Sequence, residues 1–257
     1  MTSVRDIYSF IDSFAPFSSQ MEFDNSGLQT GDFTQAVHSA MVCLDATPSV
    51  IEQAARAKCD LVIAHHPVLF HARRQLLSHD PAWLLARHNI ACVASHTPLD
   101  ICPGGVNDLL AQRLFPGKIT RLNELIRLCT LSKPMSAAAL AGHVSRRLNA
   151  PVRCCDAGRP IETVAICGGL GCKFIGEVIG QADAQGPDAQ GVPDAFLTGD
   201  ADHHAFLEAA QQGLSLVAAG HFETEIQLIP ALAERLRAAF PAVEWHIANE
   251  CGGIKYA

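Results

Sequence analysis

No apolar run in the sequence approaches the roughly 18 residues that a membrane span requires, and Met1 to Tyr8 lack the basic segment and apolar stretch of a signal peptide. A cytoplasmic protein without a membrane partner is expected. No two of the ten cysteines form a CxxC pair. Cys43 in AMVCL, Cys92 in IACVAS and Cys167 in VAICG sit in apolar runs, and they read as small buried hydrophobes of a reducing compartment rather than as a disulfide scaffold. Basic residues are in deficit: 19 Lys and Arg stand against 26 Asp and Glu, a net charge of −7. That balance argues against a general nucleic-acid surface, which needs clustered cations, and leaves open a local, metal-based anion site. Gly168-Gly-Leu-Gly171 lacks both GxGxxG spacing and a Walker lysine, so it reads as a plain tight turn.

What is present suffices for a core. Hydrophobic residues make up 49% and charged residues 18% of 257 positions, which excludes a mainly disordered chain and suits one to two domains. Ser3 with Asp6 resembles a capping box ahead of Val4, Ile7, Ile11 and Phe14 at helical spacing. Asp24-Asn25-Ser26-Gly27 is a turn cluster. Strands are expected over Ala40–Leu44, Asp60–Ala64 and Ile90–Ala94, with helices over Pro48–Lys58, capped by Thr47, and around Pro81–Arg87. The second half repeats the theme, with strands over Thr163–Cys167, Ala195–Leu197, Ser215–Ala219 and Val243–Ile247. Helices are expected over Phe174–Gln181 and Glu223–Ala239, and Ala184–Asp194 is a Gly/Pro-rich loop.

Alternating strands and helices predict an α/β fold of two related three-layer α/β/α halves with mostly parallel sheets. An internal duplication and the recurrence of a common βαβ unit both account for the likeness. The expected division is a first lobe over 1–127, a second over 128–214, and a segment 215–257 that returns to the first lobe.

Three predicted strands stop at a histidine. LVIA runs into His65-His66, CVAS into His96 with Asp100 four residues on, and LVAAG into His221 with Glu225 four residues on. In open α/β sheets, ligands bind outside the carboxyl ends of the strands, so parallel strands bring these turns to one edge. His221 and Glu225 share a helix face. Adjacent His65 and His66 point apart on a strand but can reach two neighbouring ions from a turn, and a Glu225 carboxylate can bridge such ions at about 3.5–4 Å. Nitrogen and oxygen ligands without thiolate suit Zn, Mn, Fe, Co or Ni and do not select among them. Two divalent ions less two carboxylates leave roughly +2 beside neutral histidines, which favours a bridging hydroxide and an anionic guest such as a phosphate or nucleotide.

At these residues the sequence resembles the GTP cyclohydrolase 1 type 2 homologue family. The matching stretches are DNSGLQTGD (Asp24–Asp32), CLDAT (Cys43–Thr47), LVIAHHPVLF (Leu61–Phe70), SHTPLD (Ser95–Asp100), GGVNDLLA (Gly104–Ala111), LTGD (Leu197–Asp200) and AAGHFETE (Ala218–Glu225). The resemblance implies a toroidal homohexamer with two divalent metal ions per chain. It implies His65, His66, Asp100, His221 and Glu225 as ligands, Glu225 bridging, and His96 beside the metals in proton transfer. It further implies a metal-dependent hydrolase that attacks a nucleotide through a metal-bridging hydroxide, in the manner of guanine ring opening in GTP. A different class stays open: a non-enzymatic metal-bearing ring that binds a nucleotide, a nucleic-acid end or a protein, or that hands on metal. The sequence departs from the family at Asp200, where a Glu is expected, and at its last residues, ANECGGIKYA. His203-His204 beside Asp200 and Asp202 read as a solvated helix start ahead of an accessory site, and His71 and His79 as surface residues.

Overall fold

The computed structural model describes residues 1–180 and 192–253. Residues 184–191 of the expected Gly/Pro-rich loop, Gln181 at the end of an expected helix, and the last residues 254–257 lie outside them. In chain order the elements are α1 (Val4–Asp12), β1 (Gly27–Thr30), β2 (Ser39–Cys43), α2 (Pro48–Arg56), β3 (Leu61–Ala64), α3 (Pro81–Arg87), β4 (Ala91–Ala94), α4 (Thr97–Ile101) and α5 (Val106–Leu114). They continue with β5 (Ile119–Arg121), β6 (Arg127–Met135), α6 (Ala137–Leu148), β7 (Arg153–Cys155), β8 (Ile161–Cys167), α7 (Ile175–Gly180), β9 (Ala195–Thr198), α8 (His203–Gln211), β10 (Ser215–Ala218), α9 (His221–Glu225), α10 (Leu228–Ala239) and β11 (Glu244–Ile247). No helix among the described residues is long and apolar enough to cross a membrane.

The chain divides into two compact units: Met1–Gly105 with Leu228–Cys251, and Val106–Gln227 with the residues from Gly252. This differs from the expected lobes at 127 and 215. β10 pairs with β9 inside the second sheet, which keeps His221 and Glu225 with the second unit; the return to the first unit begins only at Leu228.

The first unit is built on the sheet β1-β4-β3-β2-β11, in which β4, β3, β2 and β11 run parallel and β1 closes one edge antiparallel. β2, β3 and β4 are short apolar runs buried along their whole length, the signature of strands covered on both faces. One face alternates Met41 and Cys43 with Val62, Ala64 and Cys92 against Val50, Ile51 and Ala54 of α2 and Leu85 of α3. α10 packs on β2 and β11. The capping box forms as expected: the Ser3 hydroxyl accepts from the Asp6 amide, and the Asp6 carboxylate accepts from the Ser3 amide. Thr47 caps α2 by accepting from the Val50 amide.

The second unit has the sheet β5-β6-β8-β9-β10-β7. Only β8, β9 and β10 are mutually parallel; β5, β6 and β7 pair antiparallel. The mostly parallel expectation thus describes the first sheet, whereas the second is mixed: the hairpin strand β6 and the edge strand β7 flank its three parallel strands antiparallel. Its core joins Leu110 and Leu114 of α5 and Leu140, Val144 and Leu148 of α6 to Val164, Ile166, Leu197 and Val217 of the sheet. The single helix expected over Glu223–Ala239 is two, α9 and α10. Pro230 has no amide to donate, and its ring clashes with the carbonyl four residues back, so a helix cannot run through.

Candidate metal centre

In the first unit, Cys43, Ala64 and Ala94 stand opposite one another at the ends of β2, β3 and β4. The next residues of each strand therefore emerge along one edge: Asp45 after β2, His65 and His66 after β3, His96 after β4. β11 runs parallel beside β2, and Glu250 beyond its end accepts the amides of Leu44 and Asp45 at 2.7 and 3.0 Å. Burial pushes the Glu250 carboxyl above its usual range, and the two amide bonds pull the other way.

Each imidazole of this edge is held by its Nδ1. The Nδ1 of His65, which is fully buried, lies 3.0 Å from the Ser95 carbonyl oxygen. That of His66 lies 2.8 Å from Asp45 Oδ1, and that of His96 3.0 Å from Asp24 Oδ1. A carbonyl or carboxylate oxygen only accepts, so Nδ1 carries the proton and the Nε2 of each neutral ring keeps its lone pair. The three rings converge, with centroids 4.8, 5.2 and 5.4 Å apart, and offer nitrogen atoms within 4.8 Å of one another. Asp100, one turn into α4, brings Oδ1 to 3.6 Å from the His65 Nε2. Asp24 is itself fixed by bonds from Thr97 Oγ1, Ser26 Oγ and the Asn25 and Thr97 amides. Burial pushes its carboxyl up, but the bonds from His96, Thr97 and Ser26 prevail and hold it well below the usual carboxylate range. Phe70 packs edge-on to His96 at 5.9 Å, with the exposed Phe23 ring 6.4 Å beyond.

The second unit repeats the device on a smaller scale. Cys167, Thr198 and Ala218 are in register at the ends of β8, β9 and β10. His221 follows β10, and its Nδ1 lies 2.9 Å from Oδ2 of Asp200, which follows β9. Its Nε2 lies 3.2 Å from Oε2 of the buried Glu225, one turn on in α9. With Nδ1 already donating, a neutral His221 sets a lone pair against a carboxylate, and a cation relieves that opposition. The Gly168–Gly171 turn, expected to be plain, makes room for this pair. Gly169 has φ +56°, and a Cβ there would stand 2.1 Å from Glu225 Oε1 and 3.2 Å from His221 Nε2.

Donors of this kind, neutral imidazole Nε2 atoms backed by oxygen acceptors and short carboxylates, fit a borderline divalent ion. The structure groups His65, His66, His96 and Asp100 in the first unit and His221 and Glu225 in the second. The orienting role of Asp24, Asp45, Asp200, Ser95 and Glu250 escaped the sequence reading, in which Asp200 stood out only as a departure from the family and Asp24 only as a turn residue. Four of these follow or sit in the quoted stretches, and the visible signal was an acid or hydroxyl at the same strand ends as the histidines. His203 and His204 start α8 behind the Asp202 cap and belong to no group of potential metal ligands among the described residues.

Comparison with known proteins agrees with the sequence resemblance. Over residues 2–251 the chain matches the model of the family Duf34/NIF3 (NGG1p interacting factor 3). A protein of Campylobacter jejuni named GTP cyclohydrolase 1 type 2 homolog is 31% identical over 238 residues, covering 91% of this chain and 92% of that one. Its namesake in Clostridium acetobutylicum is 28% identical over 251 residues, 92% and 90% of the two chains. The crystal structure of the Staphylococcus aureus hypothetical protein SA1388 shares the fold, with a TM-score of 0.87 at 22% identity over 99% of both chains. This chain belongs to the Duf34/NIF3 family.

Proposed function

We propose that the protein is a dinuclear metal-dependent hydrolase for an anionic substrate of the nucleotide class. In this reading His65, His66, Asp100, His221 and Glu225 hold two divalent ions, with Glu225 shared between them. The observation that carries it is the uniform polarity of the imidazoles: His65, His66, His96 and His221 all have Nδ1 tied to oxygen, the arrangement that readies Nε2 for a metal. A structural histidine has no need of that repetition. When bound, such ions supply Lewis acidity and acidify a water molecule.

The chain's own groups supply the rest. Asp45 and Asp200 fix two of the rings, and the Asp24 carboxylate fixes the His96 tautomer so that His96 Nε2 can accept and return a proton. Phe70 and Phe23 place aromatic surface beside His96, which suits a flat heterocycle such as a base. The name borne by the relatives points to guanine ring opening in GTP, and the sequence resemblance to a homohexamer.

The test is turnover with metal analysis. Purified protein with defined metal content is expected to convert GTP or a model phosphodiester, and His66→Ala is expected not to. Glu225→Ala is expected to lower occupancy at both positions, and full occupancy in that variant would refute the shared carboxylate. Metal binding without conversion across a broad nucleotide panel would favour the non-enzymatic ring. A light-scattering mass near 27.5 kDa would contradict assembly.

A further inference from the structure

β1 closes the edge of the first sheet with an irregular step. Leu28 stands opposite Val93 and Thr30 opposite Cys92, so Gln29 is an extra residue with no partner on β4. A bulge of this kind gives up a place in the ladder and re-aims a side chain. Here the Gln29 carboxamide turns to the loop that follows the histidine pair. Its Oε1 accepts from the Leu69 amide at 3.2 Å, and its Nε2 donates to the Asn25 carbonyl at 2.7 Å. Asn25 completes the circuit, its Nδ2 donating to the Leu69 carbonyl at 2.6 Å. Both polar groups of one backbone residue are gripped by two side chains, and the two residues that grip it are tied to each other.

Among the described residues, Leu69 is where the loop 67–72 bonds to side chains outside itself. Val68 packs on the core and seats the loop, but it does not aim the side chains that follow. The residue after Leu69 is Phe70, whose ring lies 5.9 Å from His96 and 6.4 Å from Phe23. Asp24, immediately before Asn25, holds the Nδ1 of His96 at 3.0 Å. One turn therefore places both rings: His96 through Asp24, and Phe70 through Asn25 and Gln29. Covering the sheet alone would require no such grip, because water satisfies the polar groups of a surface loop.

We propose that Asn25 and Gln29 are positioning residues that act through Leu69 to hold Phe70 beside His96 and Phe23, so that these rings form a subsite for the flat base of a nucleotide. The inference rests on the nucleotide-class reading above and deepens it by naming what sets base recognition. Stacking on an aromatic face tolerates different bases, but only if the face stands where the base arrives. The clip on Leu69 supplies that placement before any ligand binds.

The experiment is calorimetric titration of guanosine monophosphate and, in parallel, ribose 5-phosphate into the full-length protein at defined metal content. The two ligands share a sugar and a phosphate, so the ratio of their affinities reports the base alone. Wild type is expected to favour the nucleotide. Asn25→Ala and Gln29→Leu are each expected to shrink that preference by about threefold or more, with ribose 5-phosphate binding and metal content unchanged. Phe70→Leu is expected to shrink it at least as far. Adding Gln29→Leu to Phe70→Leu is expected to have no further effect, because the clip acts through that ring; a merely structural role would leave the two losses additive. Circular dichroism checks the fold of each variant. Amide exchange gives a readout without ligand: the Leu69 amide is expected to be protected in wild type and to exchange faster in Gln29→Leu. No preference for the nucleotide in wild type, an unprotected Leu69 amide, undiminished preference in both clip variants, or additive losses in the double variant would each overturn the proposal. None of these measurements reads turnover, so the hydrolase reading stands or falls by its own test.

Discussion

The two sheets end their parallel strands in the same way but deliver different goods. In the first unit, four parallel strands finish along one edge, and each end contributes a polar group: His96, the His65-His66 pair, Asp45 and Glu250. In the second, three parallel strands stand between antiparallel neighbours, and the same edge contributes Asp200, His221 and a glycine turn, while Glu225 comes from the helix that follows. Strands that run parallel bring their carboxyl ends to the same edge. An antiparallel neighbour offers its amino end there instead. Both edges also draw a carboxylate from the helix that follows a strand, Asp100 from α4 and Glu225 from α9, and the first edge takes Asp24 from the turn ahead of its antiparallel strand β1.

This contrast can be broken at several points. The largest effect is expected from Gly169→Ala. The added methyl collides with Glu225 Oε1 and the positive φ disfavours any side chain, so the variant should lose about 1–3 kcal/mol of stability by chemical denaturation. Its metal content, measured by mass spectrometry, should also fall sharply. A normal metal content would show that the turn does not shape the second edge.

Next come the carboxylates behind the rings. Asp45→Asn and Asp200→Asn each keep size but weaken the hold on a histidine, and each is expected to reduce metal affinity by about 10- to 100-fold. If the two edges work alike, the two losses should be comparable. A loss for Asp200→Asn alone would confine the device to the second unit.

A smaller, pH-dependent effect belongs to the first edge. Asp24 has its carboxyl lowered in the fold by the bonds from His96, Thr97 and Ser26, which outweigh the effect of burial. A depressed acid stabilises the fold fully above its unfolded value of about 3.9 and loses that contribution as pH falls through the folded value. Asp24→Asn should be less stable than wild type at pH 7, and the gap should narrow below about pH 4. A gap that widens on acidification would contradict the assignment.

The smallest effects are local and should be equal in the two units. Thr47 caps α2 and Ser136 caps α6 by the same hydroxyl-to-amide bond. Thr47→Ala and Ser136→Ala should each cost about 1 kcal/mol in denaturant unfolding.

Much of the first unit was legible because its strands are unmixed apolar runs bounded by turn residues and its helices carry caps at their first positions. Ser3, Thr47 and Pro48 announce α1 and α2 without help from the rest of the chain. The stretch from Asp100 to Thr163 was not legible. β6 pairs with β8 across a register shift between Thr130 and Met135, and its exposed half, Lys133 and Pro134, has no strand pattern. The break between α9 and α10, ahead of Pro230, was missed because apolar spacing continues through it. The histidines were visible as strand-end residues, whereas nothing in the sequence tied Asp45, Asp200 or Glu250 to them. Their partners are 21 residues away for the first two, and for Glu250 206 residues away at the Leu44 amide.

The sequence alone determined where the chemistry-bearing residues could stand, because apolar β-runs and their terminating turns are local consequences of side-chain type and spacing. Which nitrogen each histidine keeps for a ligand, which acid holds the other, and why Gly169 must lack a side chain were decided only by tertiary structure. Those properties depend on groups brought within about 3 Å by strand register, and register is a property of paired chains that no single segment contains.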